Sequence, residues 1–74
     1  MPQTNKIRKR AAEMAGSLLS EGYRVKFRVM LRVSCFYKLK HGNNGNEITI
    51  VGNYKKGEIK LFRNGKLRHT ETVE

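Results

Sequence analysis

The sequence predicts an α+β protein, with one N-terminal helix packed on one face of a four-stranded antiparallel meander sheet in the order α-β-β-β-β. Three observations carry this. Apolar residues recur at three-and-four spacing as far as Leu18, the period switches to two from Tyr23, and turn sequences built on Asn and Gly then divide the remainder at short intervals.

The helix is read over residues 5–21, after a flexible start at 1–4. Ile7, Ala11, Met14, Ala15 and Leu18 form its apolar face. Thr4 or Asn5 can cap its first amides, and Gly22 suits the left-handed residue that closes many helices. Gly16 lies inside the helix, where it either weakens it slightly or admits close packing.

The sheet is read over residues 23–72. In its first segment Tyr23, Val25, Phe27, Val29, Leu31, Val33, Cys35, Tyr37 and Leu39 all fall on odd positions. The even positions are Arg24, Lys26, Arg28, Met30, Arg32, Ser34, Phe36, Lys38 and Lys40, so one side of the segment is oily and the other largely cationic. As one strand it would run roughly 55 Å at ~3.3 Å per residue, longer than strands usually extend. A bend or bulge is therefore expected near residues 32–35, although no Gly or Pro marks it.

Turns at 42–46, 55–57 and Asn64-Gly65 separate three further strands, over 47–52, 58–62 and 66–72. With each turn a tight hairpin, Leu39 stands opposite Ile50, Tyr54 opposite Ile59, and Phe62 opposite Leu67. That register gathers Leu39, Ile48, Ile50, Tyr54, Ile59 and Leu61 with the odd residues of the first strand beneath the helix. The other face receives Arg24, Lys26, Arg28, Arg32, Lys38, Lys40, Lys60 and His69 among Met30, Phe36, Val51, Phe62 and Leu67. The last strand fits poorly, since Arg68, Thr70 and Thr72 fall on the core side; a bulge reverses this.

Length and charge bound the function. The 74 residues suffice for one domain, 1–74, and a chain this short buries only ~60% of its unfolded surface, so the core is thin and homodimer formation stays open. Sixteen Lys and Arg against six Glu and no Asp give a net charge of +10, beyond what solubility needs, which points to an anionic partner. Ten of the cations lie in residues 1–40. The single Cys35 cannot form an internal disulfide, no secretory leader is expected, and a cytoplasmic location fits. Lys or Arg breaks every apolar run, so no membrane span is expected. Neither a metal nor a cofactor is expected: two His and one Cys fall at no ligand spacing, and no Gly-rich phosphate loop precedes the helix.

Lys6, Arg8, Lys9 and Arg10 crowd the first helical turns, where the backbone dipole disfavours each cation by ~0.3–1 kcal/mol. A phosphate backbone at this end relieves the conflict. Arg24, Lys26, Arg28, Arg32, Lys38 and Lys60 extend the footprint, and Phe36 and Phe62 offer flat surfaces to unstacked bases. The plainer readings are a solvated helix start and a sheet face covered by a second subunit. The expectation is a non-enzymatic protein that binds nucleic acid, DNA or RNA. The alternative is a small basic interaction or inhibitor protein, of mobile-element type, acting on an acidic protein or a protein–RNA complex. His69 and Glu71, two apart on a strand, share a face as nuclease groups can, but such pairs are common and no catalytic role is assigned. Cys35 is read as a packing residue and His41 as closing a turn.

Residues 57–67, Gly-Glu-Ile-Lys-Leu-Phe-Arg-Asn-Gly-Lys-Leu, resemble the hairpin unit of MORN-type repeats, with a Gly, a following aromatic and an Asn-Gly-Lys turn. Such repeats gain stability by stacking several copies, and this chain holds one, so it is not assigned to that family.

Overall fold

The computed structural model of the chain describes residues 4–73, so the expected flexible start lies, for residues 1–3, outside the described residues. Thr4–Ser20 form helix α1, followed by strands β1 (Tyr23–Met30), β2 (Ser34–His41), β3 (Glu47–Asn53), β4 (Glu58–Arg63) and β5 (Lys66–Thr72). The strands make one five-stranded antiparallel sheet in the order β1-β2-β3-β4-β5. The α+β class and the helix agree with the periodicity; the strand count does not.

The extra strand arises because the long alternating segment folds back on itself. Leu31 donates its amide to the Ser34 carbonyl at 2.8 Å, and Tyr54 donates its amide to the Val33 carbonyl at 3.1 Å, anchoring the tip. Arg32 and Val33 keep negative φ, a turn conformation open to most residue types. Neither Gly nor Pro is needed, which is why composition leaves no mark there.

Two other turns are longer than expected. Leu39 faces Ile48, and Gly52 faces Ile59. Both registers differ from the expected ones by two residues, which leaves every side chain on its face. A tight hairpin of the favoured type needs positive φ at both central residues, and among the described non-glycine residues only Asn64 has it, at 51°. Asn64 and Gly65 (φ 83°) accordingly close the tight hairpin, with Phe62 opposite Leu67 as expected.

The reversal and two bulges decide the faces. The tight turn sets Met30 beside Cys35 and Arg28 beside Tyr37, on the helix side, and sends Phe27 and Val29 to the far face. A bulge at Lys26 then returns Val25, opposite Leu39, to the helix side. In β5 a bulge at Arg68 places His69 opposite Leu61 and Glu71 opposite Ile59, toward the helix, and turns Thr70 and Thr72 away. Arg28, Met30 and His69 thus leave the face where alternation alone puts them.

Ile7, Ala11, Met14 and Ala15 of α1 pack on Cys35, Tyr37, Leu39, Ile48, Ile50, Tyr54 and Ile59, with Leu18, Tyr23, Leu61 and Val73 at the margin. The helix sits close because β3 is bare at Gly52, where an added Cβ would lie 2.5 Å from Ile7 Cγ2 and 2.7 Å from Cys35 Sγ. Gly52→Ala is expected to destabilise by about 1–3 kcal/mol through overpacking, read as a lower urea midpoint at unchanged m-value. The double variant with Ile7→Ala should cost less than the sum of the two single changes.

Candidate nucleic-acid interface

Helix α1 covers one face of the sheet, and no described element covers the other. Register places two cross-strand rows on this open face: Phe27, Lys38, Thr49, Phe62 and Leu67, then Val29, Phe36, Val51, Lys60 and Thr70. Phe27, 47% exposed, stacks on Phe36 with ring centroids 5.7 Å apart and planes inclined by 16°. Lys38 Nζ lies 5.9 Å from the Phe27 centroid. Arg24 and Lys40, paired across β1 and β2, flank the rings at one end.

The charges on this face differ in their partners. Glu47 lies 3.4 Å from Lys38 and Glu58 lies 3.6 Å from Lys60, which partly neutralises both lysines. Among the described residues, Arg24, Lys26, Arg28, Arg32 and Lys40 form no ion pair.

The twelve residues singled out by sequence do not form one surface. Arg24, Phe36, Lys38, Lys60 and Phe62 share the open face, Lys26 occupies the β1 bulge and Arg32 the hairpin tip, while Arg28 faces the helix. The cations at the helix start belong to the other layer, and two of them hold the fold. Arg8 Nε donates to Tyr54 Oη at 2.9 Å with its guanidinium 5.4 Å from that ring centroid, and the Tyr54 hydroxyl reaches Met30 Sδ at 3.9 Å. Arg10 donates from Nε and Nη2 to the two Glu71 oxygens at 2.6 and 3.1 Å, with Glu13 at 3.8 Å. Lys6 and Lys9 stand exposed. Sequence reasoning missed Phe27 and Val29 as open-face residues, because their placement depends on a reversal with no local signature.

Three other polar or thiol residues have structural surroundings. Cys35 is fully buried, and burial pushes its thiol pKa up, which keeps it protonated and unreactive. His41 closes its turn: Nδ1 accepts the amides of Asn43 and Asn44 at 3.1 and 3.3 Å, and Nε2 lies 3.0 Å from the Glu21 carbonyl. His69 Nε2 lies 3.2 Å from Glu71 Oε1, on a carboxylate already engaged by Arg10. Among the described residues no group of three or more His, Cys, Asp or Glu could hold a metal ion, and no helix is long and apolar enough to cross a membrane.

The chain matches no known protein family, no curated protein and no solved structure. Residues 57–67, which resemble a MORN-type unit, span β4, the tight turn after it and the first two residues of β5.

The hydrogen bonds from Arg10 hold the Glu71 carboxyl below the usual carboxylate range, against the opposing effect of partial burial and with help from His69. A carboxyl depressed in the folded state contributes stability above its unfolded pKa and loses it as pH falls through the folded value. Glu71→Gln is expected to cost about 1 kcal/mol at neutral pH, the scale of a well-aligned but solvent-screened pair. The stability difference between the two proteins in urea unfolding should shrink as pH falls below the unfolded carboxyl value and vanish once the native carboxylate is itself protonated.

Proposed function

We propose that this chain is a non-catalytic nucleic-acid-binding protein, whose open sheet face receives unstacked bases while the cations of β1 and β2 meet phosphates. The observation that carries the reading is the near-parallel Phe27–Phe36 pair, uncovered and flanked by Arg24, Lys26 and Lys40. An exposed ring leaves apolar area in water, and a stacked base removes it at about 1–3 kcal/mol per base without requiring a particular sequence. Arg24 and Lys26 have no ion-pair partner among the described residues, and Lys40, though opposite Glu47 across β2 and β3, makes no ion pair with it, so a phosphate backbone can displace the counterions of all three.

Glu47 and Glu58 orient the ligand by exclusion. Their carboxylates sit on the open face beside Lys38 and Lys60, and they repel phosphates from the middle of the sheet. The ligand backbone is therefore assigned to the β1–β2 side, with its bases over Phe27 and Phe36 and toward Phe62. Lys6 and Lys9, in the opposite layer, add to the long-range field and not to this contact. The non-catalytic part of the reading is supported by Glu71, whose carboxylate is occupied by Arg10 where it meets His69.

Fluorescence anisotropy with labelled oligo-dT, oligo-U and a duplex tests this across ionic strength. Single strands should bind more tightly than the duplex, with a log-log salt slope of about −0.7 per phosphate contacted. Phe27→Ala should lose about 1–3 kcal/mol of binding with the slope unchanged, whereas the double change Arg24→Ala and Lys40→Ala should flatten the slope by about one to two. Failure to retain either oligomer at low salt would sink the reading.

A further inference from the structure

The helix-facing side of β1 carries a second surface, a groove whose lining shares no side chain with the open face; of the cations along the strand, Arg24 belongs to the open face as well. Ala15, Gly16 and Leu19 of α1 meet Val25, Arg28 and Tyr37 of the sheet around a mainly apolar groove of about 390 Å³. Leu19 is 50% exposed and Val25 40%. Nothing stands within 4 Å of the point where a Cβ on Gly16 would lie, so the groove is open at its helical wall.

The strand beside this groove is a sheet edge, since β1 pairs only with β2. With Leu31 donating to Ser34, the alternation of an antiparallel ladder turns the amides and carbonyls of Arg28 and Met30 outward. Arg24, Lys26, Arg28 and Arg32 lie along the same strand and its tip, and none has an acidic partner among the described residues.

We propose that this edge and groove form a docking site for an extended acidic segment of another protein. The segment adds a strand beside β1, sets an apolar side chain in the groove between Leu19 and Val25, and places carboxylates against Arg28 and its cationic neighbours. Charge decides between occupants. A second copy pairing β1 with β1 sets these cations against their own kind, the arrangement that protects edge strands from self-association. Nucleic acid brings anions, but no strand edge for the outward amides and no aliphatic group for the groove. The proposal does not rest on the nucleic-acid reading.

The test is an NMR titration of the ¹⁵N-labelled full chain with a capped peptide alternating Glu with Val and Leu. The same peptide with Lys for Glu, and oligo-dT, serve as comparisons. The acidic peptide should shift amides in residues 15–19 and 25–30 saturably and slow hydrogen exchange at Arg28 and Met30, while the Lys peptide shifts nothing. Gly16→Leu fills the groove where there is room and replaces Gly with a better helix former, so the fold is kept, as circular dichroism verifies, and peptide affinity should fall about tenfold or more. Arg28→Ala should weaken it by about tenfold. The proposal is overturned by no saturable shift up to millimolar peptide, or by undiminished affinity in folded Gly16→Leu. Oligo-dT displacing the peptide from these amides would assign the edge to nucleic acid instead, and shifts of the same amides on concentrating the chain alone would assign it to a second copy.

Discussion

A single helix has to serve a five-stranded sheet, and most of this molecule follows from that mismatch. A helix with its side chains is about 10–12 Å across, while strands repeat every ~4.8 Å, so α1 cannot seal all five strands from solvent, and the side chains that it buries completely are those of the inner strands. Every buried strand residue accordingly lies on β2, β3 or β4, and none on β1 or β5. Contact is gained by depth instead of breadth: the bare backbone at Gly52 lets Ile7 settle to 0% exposure.

Polar contacts then hold the helix at both ends. Near its start Arg8 reaches Tyr54 and Arg10 reaches Glu71, on the loop after β3 and on β5 respectively. At its end His41 bonds the Glu21 carbonyl, one of the groups that a helix terminus leaves without an intrahelical partner. The two amides accepted by Nδ1 assign the imidazole proton to Nε2, so the ring bridges the helix end and the β2–β3 turn. Part of the excess of cations at the helix start is therefore structural, and its partners come from the far end of the chain.

What the helix leaves uncovered is where function can act. The far face carries aromatic rings with lysines whose charge is partly offset by Glu47 and Glu58, and the β1 edge carries cations with no ion-pair partner among the described residues. Like charges along β1 disfavour its pairing with a second copy, and the bulge at Lys26 interrupts its regular edge. A strand that contributes no buried residue thus presents Phe27 on one side and the groove beside Val25 on the other.

Local order was legible in the residues alone. The spacing of Ile7, Ala11, Met14 and Ala15 marks the buried helical stripe, the alternation of Cys35, Tyr37 and Leu39 marks the buried side of β2, and Asn64-Gly65 marks a tight turn, because each depends on neighbours a few positions away. Of the candidate site, Phe36, Lys38, Lys60 and Phe62 came out on one face for the same reason. The reversal at Arg32 and Val33, the slips at Lys26 and Arg68, and the partners of Arg8 and Arg10 at separations of 46 and 61 residues belong to the tertiary structure. A turn at negative φ leaves no trace in composition, and a one-residue slip inverts the faces without disturbing the local pattern. Which face each β1 side chain occupies was therefore decided only when β1 paired with β2.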